Sequence, residues 1–282
     1  MLKIAIRHHS GSVFTHSCSS VARLINKHWV ISTKAYIREN RPSGWAVKRS
    51  SVHPSKKLLS TVTNDSIQTQ STAVLQKLVN FKPYQQAKRI GIYLAMPTGE
   101  LQTDAIVRHA LESGKQVFVP YLYKSTSQSP DVPRSVMDMV DLRSIADFDS
   151  LERDSWGIPT IPAETVDERE SVLKTVSSKG LDMILLPGVA FDTDPNTNFI
   201  RRLGHGKGFY DYFLHRYREQ SGSQKRDPAN PGTNVLLYGL ALEEQFLKSG
   251  AEISVPVGEH DSLLHGLLTG DGEIRDGLES RE

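Results

Sequence analysis

Between Arg202 and Asp211 the chain reads RLGHGKGFYD, with glycines at 204, 206 and 208 alternating with His205 and Lys207. Glycine at alternate positions lets a backbone approach a ligand with no Cβ in the way, and takes positive φ at little cost. Successive N–H groups in such a loop form a concavity for an anion, and a helix beginning behind it adds the positive end of its dipole. Arg202 and Lys207 set full positive charges beside that concavity. Asp211 adds a carboxylate able to hold a hydrated divalent cation. The chemistry implied is phosphate binding. Two familiar phosphate motifs do not describe the loop. A P-loop needs Ser or Thr after its lysine, where Gly208 stands, and the dinucleotide pattern is GxGxxG, whereas this loop is GxGxG.

The flanking residues must position the loop. LDMILLPGVAFD (181–192) leads into it with a buried strand over 181–189, and residues 211–218 follow as a helix carrying Tyr212, Phe213 and Tyr217. Upstream, STAVLQKLVNF (71–81) places Val74, Leu75, Leu78 and Val79 on one helical face. Residues 89–96 read as a buried strand, 103–112 as an amphipathic helix stopped by Gly114, and 116–123 as the next strand. Strands are also expected over 136–142, 235–242, 252–257 and 263–269, and a helix over 167–176, with polar loops at 124–135 and 221–233. Strands alternating with helices imply an α/β fold with a mostly parallel sheet covered on both faces. Ligands of such sheets lie beyond the carboxyl ends of the strands, where the glycine loop falls.

Composition narrows the class. Before residue 65 there are eleven Lys and Arg against Glu39 alone, so the rest of the 282-residue chain is acidic although the whole carries +2. An acidic body offers no nucleic-acid footprint. No apolar run reaches the roughly 18–20 residues of a membrane span. A lone cysteine, Cys18, excludes an internal disulfide and any CxxC zinc pattern, and suits a reducing compartment. Residues 1–47 form a basic, acid-poor extension, read either as an organelle transit peptide or as an extension without structure, and the folded domain is expected over 48–282. The expected setting is intracellular, cytoplasmic or the mitochondrial matrix, and the expected state is a monomer.

RRLGHGKGFYD after LLPGVAFD resembles the nucleotide loop of the 5-formyltetrahydrofolate cyclo-ligase (5,10-methenyltetrahydrofolate synthetase) family. YLAMPTGELQT at 93–103, WGIPTIP at 156–162 and LALEEQ…VPVGEHD at 240–261 match the family's further blocks in order, so the likeness runs over about residues 65–270. It implies a three-layer α/β sandwich of the sugar-phosphate isomerase and CoA-transferase kind. It also implies ATP- and magnesium-dependent conversion of 5-formyl- to 5,10-methenyltetrahydrofolate, with or without a polyglutamate tail.

By that resemblance Lys207 and Arg202 are catalytic, and ATP is held by Lys48, Arg202, Leu203, Gly204, His205, Gly206, Lys207, Gly208, Phe209 and Tyr210. The folate is held by Met96, Glu100, Gln102 and Trp156 together with residues 205–209, and magnesium by Asp211 and Asp261. His205 stands where the family usually has arginine, and Lys48 is the nearest match to a basic N-terminal helix of the family. Read without the family, Asp211 is equally a helix N-terminal acid, Asp261 a turn acid, Lys48 a surface lysine and Trp156 a structural ring. A binding protein without turnover is the alternative function.

Overall fold

The computed structural model describes residues 57–128, 132–174, 180–222, 235–248, 254–258 and 261–278. Helices α1 (Asn64–Val79) and α2 (Lys82–Gln86) come first, then strand β1 (Arg89–Ile92), helix α3 (Asp104–Glu112), and strands β2 (Gln116–Lys124) and β3 (Ser135–Leu142). Helix α4 (Ile145–Asp149) and the short pair β4 (Glu152–Arg153) and β5 (Pro159–Thr160) follow. Then come β6 (Met183–Leu186), β7 (Ala190–Thr193), β8 (Ile200–Leu203), helix α5 (Phe209–Gly222), β9 (Leu236–Ala241), β10 (Gly266–Thr269) and β11 (Ile274–Asp276).

Seven strands form one sheet in the order β11-β10-β9-β6-β1-β2-β3. The inner pairs are parallel and only the edge strands β3 and β11 run antiparallel. Alternation along the central strands sorts the core. Ile90, Ile92, Val117, Val119, Met183 and Leu185 share a cluster with Val74 and Leu78 of α1 and with Ile106, Val107 and Ala110 of α3. Phe118, Ile184 and Leu186 point the other way, into a cluster with Phe213, Leu214 and Tyr217 of α5. Three layers result, and both faces of a parallel sheet are covered as its apolar runs require. Among the described residues no helix is long and apolar enough to cross a membrane.

The order of strands places the site. The chain leaves β1 toward β2 on one side, whereas β6, on the other side of β1, leads outward to β9 and β10. The segments following β1 and β6 therefore diverge and leave a crevice at the carboxyl ends of these two strands, the usual ligand position in such sheets.

Several boundaries differ from those read in the sequence. α1 begins earlier than residue 71, where Thr63 caps it by accepting from the Ser66 N–H. The strand expected over 89–96 stops at Ile92, freeing Tyr93–Met96 to turn toward the crevice. The run expected as one strand over 181–189 ends at Leu186, and Ala190–Thr193 pairs instead with β8 as a separate two-stranded hairpin. No α-helix spans 167–174. A 3-10 turn covers Ala163–Glu168, and Ser171 bridges to Val140 because the buried Asp138 carboxylate takes the Ser171 hydroxyl and the Leu173 N–H. Residues 254–257 are not a strand; Val255 instead donates its N–H to Asp192. Lys48 and the extension 1–47 lie outside the described residues.

Candidate functional site

The segment after β1 folds on itself. Glu100 is buried, and its Oε2 accepts the Met96 N–H at 2.9 Å. The Gln102 amide donates to the carbonyls of Met96 and Glu100 at 2.9 and 3.0 Å, and the Gln102 N–H donates to Ser71 Oγ of α1. The Tyr93 hydroxyl donates to the Leu101 carbonyl at 2.8 Å. Gly99, at φ +75°, makes the turn that lets a side chain bond its own loop four residues back. The result is a rigid hoop with one carboxylate oxygen, Glu100 Oε1, left to act outward.

The segment after β6 builds the opposite wall. Pro187 and Gly188 lead into the β7–β8 hairpin, and a Cβ at Gly188 would stand 2.4 Å from the Phe191 ring. Asp192 receives a bidentate pair of bonds from Arg201 across the hairpin, at 2.6 and 2.5 Å, and also the Val255 N–H at 2.9 Å. Arg202 points inward. Its Nη2 donates to Asp211 Oδ1 at 2.6 Å, its Nη1 donates to the Pro187 carbonyl at 3.2 Å, and its guanidinium lies 5.7 Å from the Tyr210 ring. The glycine loop therefore has a buried cation at its entrance and the first turn of α5 at its exit. Its middle, residues 206–208, is exposed, with φ of +83° at Gly206 and +69° at Gly208.

Two side chains of this loop reach across the crevice. His205 Nε2 lies 3.1 Å from Glu100 Oε1, joining the loop to the hoop after β1. Lys207 Nζ lies 4.6 Å from the centre of the Trp156 ring. Trp156 sits in a turn held by the Asp154 carboxylate, which accepts the N–H groups of Trp156 and Ile158. At Gly157 of the same turn a Cβ would meet Pro97 Cγ at 2.6 Å, so turn and hoop are packed together. Residues 96–102, 154–158 and 204–208 thus close a ring around the crevice. Burial pushes the hydroxyls of Tyr93 and Tyr210 upward in pKa, and the neighbouring Glu100 adds to both shifts. Both phenols stay protonated and remain hydrogen-bond donors.

Met96, Glu100, Gln102, Trp156, Arg202, His205, Lys207, Tyr210 and Asp211 are therefore brought together around the crevice. Leu203 and Phe209 are not ligand-facing: Leu203 packs with Ala190 and Val255, and Phe209 packs against the α5 face of the sheet, so each offers only its backbone. Tyr121 and Tyr123 stack with centroids 6.1 Å apart and line a cavity of about 150 Å³ with Asp138, Arg169 and Lys174; no residue of the ring lines it. Asp261 Oδ2 accepts the Gly258 N–H at 2.6 Å, on a stretch docked along the hairpin through Val255–Asp192 and Leu264–Ile200. Among the described residues no group of three or more His, Cys, Asp or Glu side chains gathers as a metal site. Asp192 and Arg201, to which no role was given above, hold the hairpin and the Val255 backbone in one unit. The final Asp of the PGVAFD block was the signal for them.

The family model for 5-formyltetrahydrofolate cyclo-ligases matches residues 47–270. A probable 5-formyltetrahydrofolate cyclo-ligase of Caenorhabditis elegans is 35% identical over 213 residues, 76% of this chain and 87% of that protein. The 5-formyltetrahydrofolate cyclo-ligase of Mus musculus is 35% identical over 203 residues, 72% of this chain and 83% of that protein. The solved structure of the Aquifex aeolicus 5,10-methenyltetrahydrofolate synthetase superposes with a TM-score of 0.54 at 21% identity, covering 84% of this chain and 95% of that one. That likeness bears on the fold.

Proposed function

The chain belongs to the 5-formyltetrahydrofolate cyclo-ligase family, and from that premise we propose that it converts 5-formyl- to 5,10-methenyltetrahydrofolate with ATP, releasing ADP and phosphate. The observation that carries the proposal is the contact between Glu100 and His205, which brings a phosphate-binding glycine loop against the hoop after β1 within one crevice.

A formamide is a poor electrophile, because its nitrogen lone pair is delocalised into the carbonyl and oxide is a poor leaving group. Attack of the formyl oxygen on the γ-phosphorus of ATP, with departure of ADP, turns that oxygen into part of a good leaving group and leaves an iminium carbon. N10 of the folate adds to this carbon, the C–O bond breaks with release of phosphate, and the N10 proton departs, closing the methenyl bridge. The protein must align the formyl oxygen and the phosphoryl group and offset the charge on the phosphates.

Lys207 is the cation for the transferred phosphoryl group, at the exposed tip of the loop where it can follow the phosphate. Loop amides and the first turn of α5 hold the remaining phosphates. Arg202 aims the Asp211 carboxylate. Glu100 and the protonated Tyr210 present a hydrogen-bond acceptor and donor to the formyl end and the pterin, while Met96 and Trp156 supply apolar surface to the ring system.

Magnesium fits this set: Asp211 Oδ1 is taken by Arg202, Oδ2 has no hydrogen bond among the described residues, and one carboxylate oxygen with phosphate oxygens and water is an arrangement the ion accepts. When bound it would screen the phosphate charge, with Asp211 as its protein holder and Asp261 as the second carboxylate by family likeness. The test is direct. Purified protein with ATP, magnesium and 5-formyltetrahydrofolate is expected to generate the near-ultraviolet absorbance of the methenyl product. A folded sample that binds folate and leaves the absorbance unchanged would establish a binding protein instead.

A further inference from the structure

We propose that Trp156 is a shared platform: its indole is occupied by the Lys207 ammonium while the phosphate site is empty, and is released to the folate ring system when phosphates draw Lys207 away. The inference rests on the reading of Lys207 as phosphate ligand and Trp156 as folate contact, and adds a coupling between their sites.

The geometry gives each part. Lys207 Nζ stands 4.6 Å from the ring centre, within the range in which an ammonium is held by an aromatic face. Lys207 makes no hydrogen bond or ion pair with the protein among the described residues. Nothing else fixes it, because it lies between Gly206 and Gly208, both at positive φ, and a Cβ added at either glycine would meet nothing within 4 Å. The loop tip is therefore free to swing about its glycines. Trp156 is 52% exposed, so its free face is open to a planar ligand once the ammonium leaves.

One indole face cannot hold both the ammonium and a stacked pterin. A nucleotide offers Lys207 the stronger partner, since a phosphate oxygen forms a charge-assisted hydrogen bond. Nucleotide binding then breaks the Lys207–Trp156 contact, and folate no longer has to break it. An exposed cation–π contact corresponds to about a two- to fivefold change in an equilibrium constant, which sets the size of the effect. By linkage folate must favour nucleotide by the same factor.

Calorimetry with a non-hydrolysable ATP analogue and magnesium, in the absence of folate, tests this on full-length protein. Trp156→Leu removes the resting partner of Lys207 and is expected to tighten nucleotide binding by about two- to fivefold, with Trp156→Phe in between. A role for Trp156 confined to stacking on folate, or to holding its turn, leaves nucleotide affinity unchanged or weaker, and that result overturns the proposal. The turn survives the substitution, because Asp154 holds it through backbone N–H groups; an unchanged circular dichroism spectrum checks this. In a Trp29→Phe/Trp45→Phe background Trp156 is the sole tryptophan, and its emission is expected to shift on nucleotide addition alone. Silent emission at saturating nucleotide also overturns the proposal. Absence of any nucleotide binding by the unaltered protein removes the functional reading itself, and the proposal with it.

Discussion

Replacing Arg202 by methionine isolates the interaction that joins the loop entrance to helix α5. The Arg202 side chain is 4% exposed and that of Asp211 21%, with 2.6 Å between Nη2 and Oδ1. Breaking a fully buried ion pair by deleting one partner costs about 3–5 kcal/mol. Water reaches part of the Asp211 carboxylate and takes over some of the lost bonding, so the lower end, about 3 kcal/mol, applies to the pair. The Pro187 carbonyl also loses its donor, which adds about 1 kcal/mol. Methionine retains most of the apolar stem, and Arg202 Nε has no partner to lose. The expected destabilisation is thus about 3–4 kcal/mol.

Asp211→Asn leaves an oxygen that can still accept from Arg202, so it should cost only about 1–2 kcal/mol. With both changes the carboxylate is no longer present to be stranded, and the double variant should be more stable than the sum of the single effects by about 1–2 kcal/mol. Urea unfolding followed by circular dichroism measures all three, with equal slopes as the check that stability alone has changed. Additivity within about 0.5 kcal/mol would refute the assignment of Arg202 as the group that holds Asp211.

Glu100→Ala removes both the acceptor for the Met96 N–H and the partner of His205, and should raise the KM for folate by tenfold or more, whereas Glu100→Gln keeps an acceptor and should recover much of it; steady-state kinetics on the absorbance assay decides. Gly188→Ala forces its Cβ into the fully buried Phe191 ring and should cost about 1–3 kcal/mol in the same urea experiment. Gly206→Ala meets no neighbour, so its cost is conformational, about 1 kcal/mol at φ +83°, and should surface as weaker nucleotide binding rather than as a large loss of stability. The hydrogen bond from Arg169 holds the Asp147 carboxyl below its ordinary 3.8, so the folded state binds this proton less readily than the unfolded one. The resulting stability is present above the unfolded value and is lost as pH falls through the depressed folded value. The gap in unfolding free energy between the unaltered protein and Asp147→Asn should therefore be widest near neutrality and narrow as the pH is taken below about 4.

Much of the frame was legible because it depends on local pattern. Apolar runs such as MILL and VFV mark strands buried on both faces, and three alternate glycines mark a loop that turns through positive φ at Gly206 and Gly208. The misread parts share one cause. A helix is expected over 167–176, but Asp138, distant in sequence, takes the Ser171 hydroxyl and the Leu173 N–H and draws Ser171 alongside β3. The run 181–189 divides because Phe191 and Arg202 face each other across a hairpin, a pairing that no strand pattern encodes. Asp192 stood in plain sight in PGVAFD, yet its bonds to Arg201 and Val255 appear only when three segments have met.

The same distinction separates the site's ligands from its assembly. Residue types suggested the candidate ligands, but what gathers them at one crevice is that β1 and β6 lie side by side and send their chains apart. The hoop after β1 carries Glu100, the chain after β6 carries His205 and Lys207, and the turn at Trp156 packs against Pro97 to complete the ring. Under the proposed function each half takes one kind of group: the glycine loop suits phosphates, and the hoop with the indole suits a flat heterocycle bearing a carbonyl. A phosphoryl transfer from the first to the second needs only that the halves hold a fixed distance. The hydrogen bond between His205 and Glu100 supplies that distance from the side of the glycine loop. Substituting arginine for His205 should keep a donor for the Glu100 carboxylate, so catalysis should persist in the absorbance assay. A folded variant that loses the activity would show that the imidazole itself, rather than the link, is what the chemistry requires.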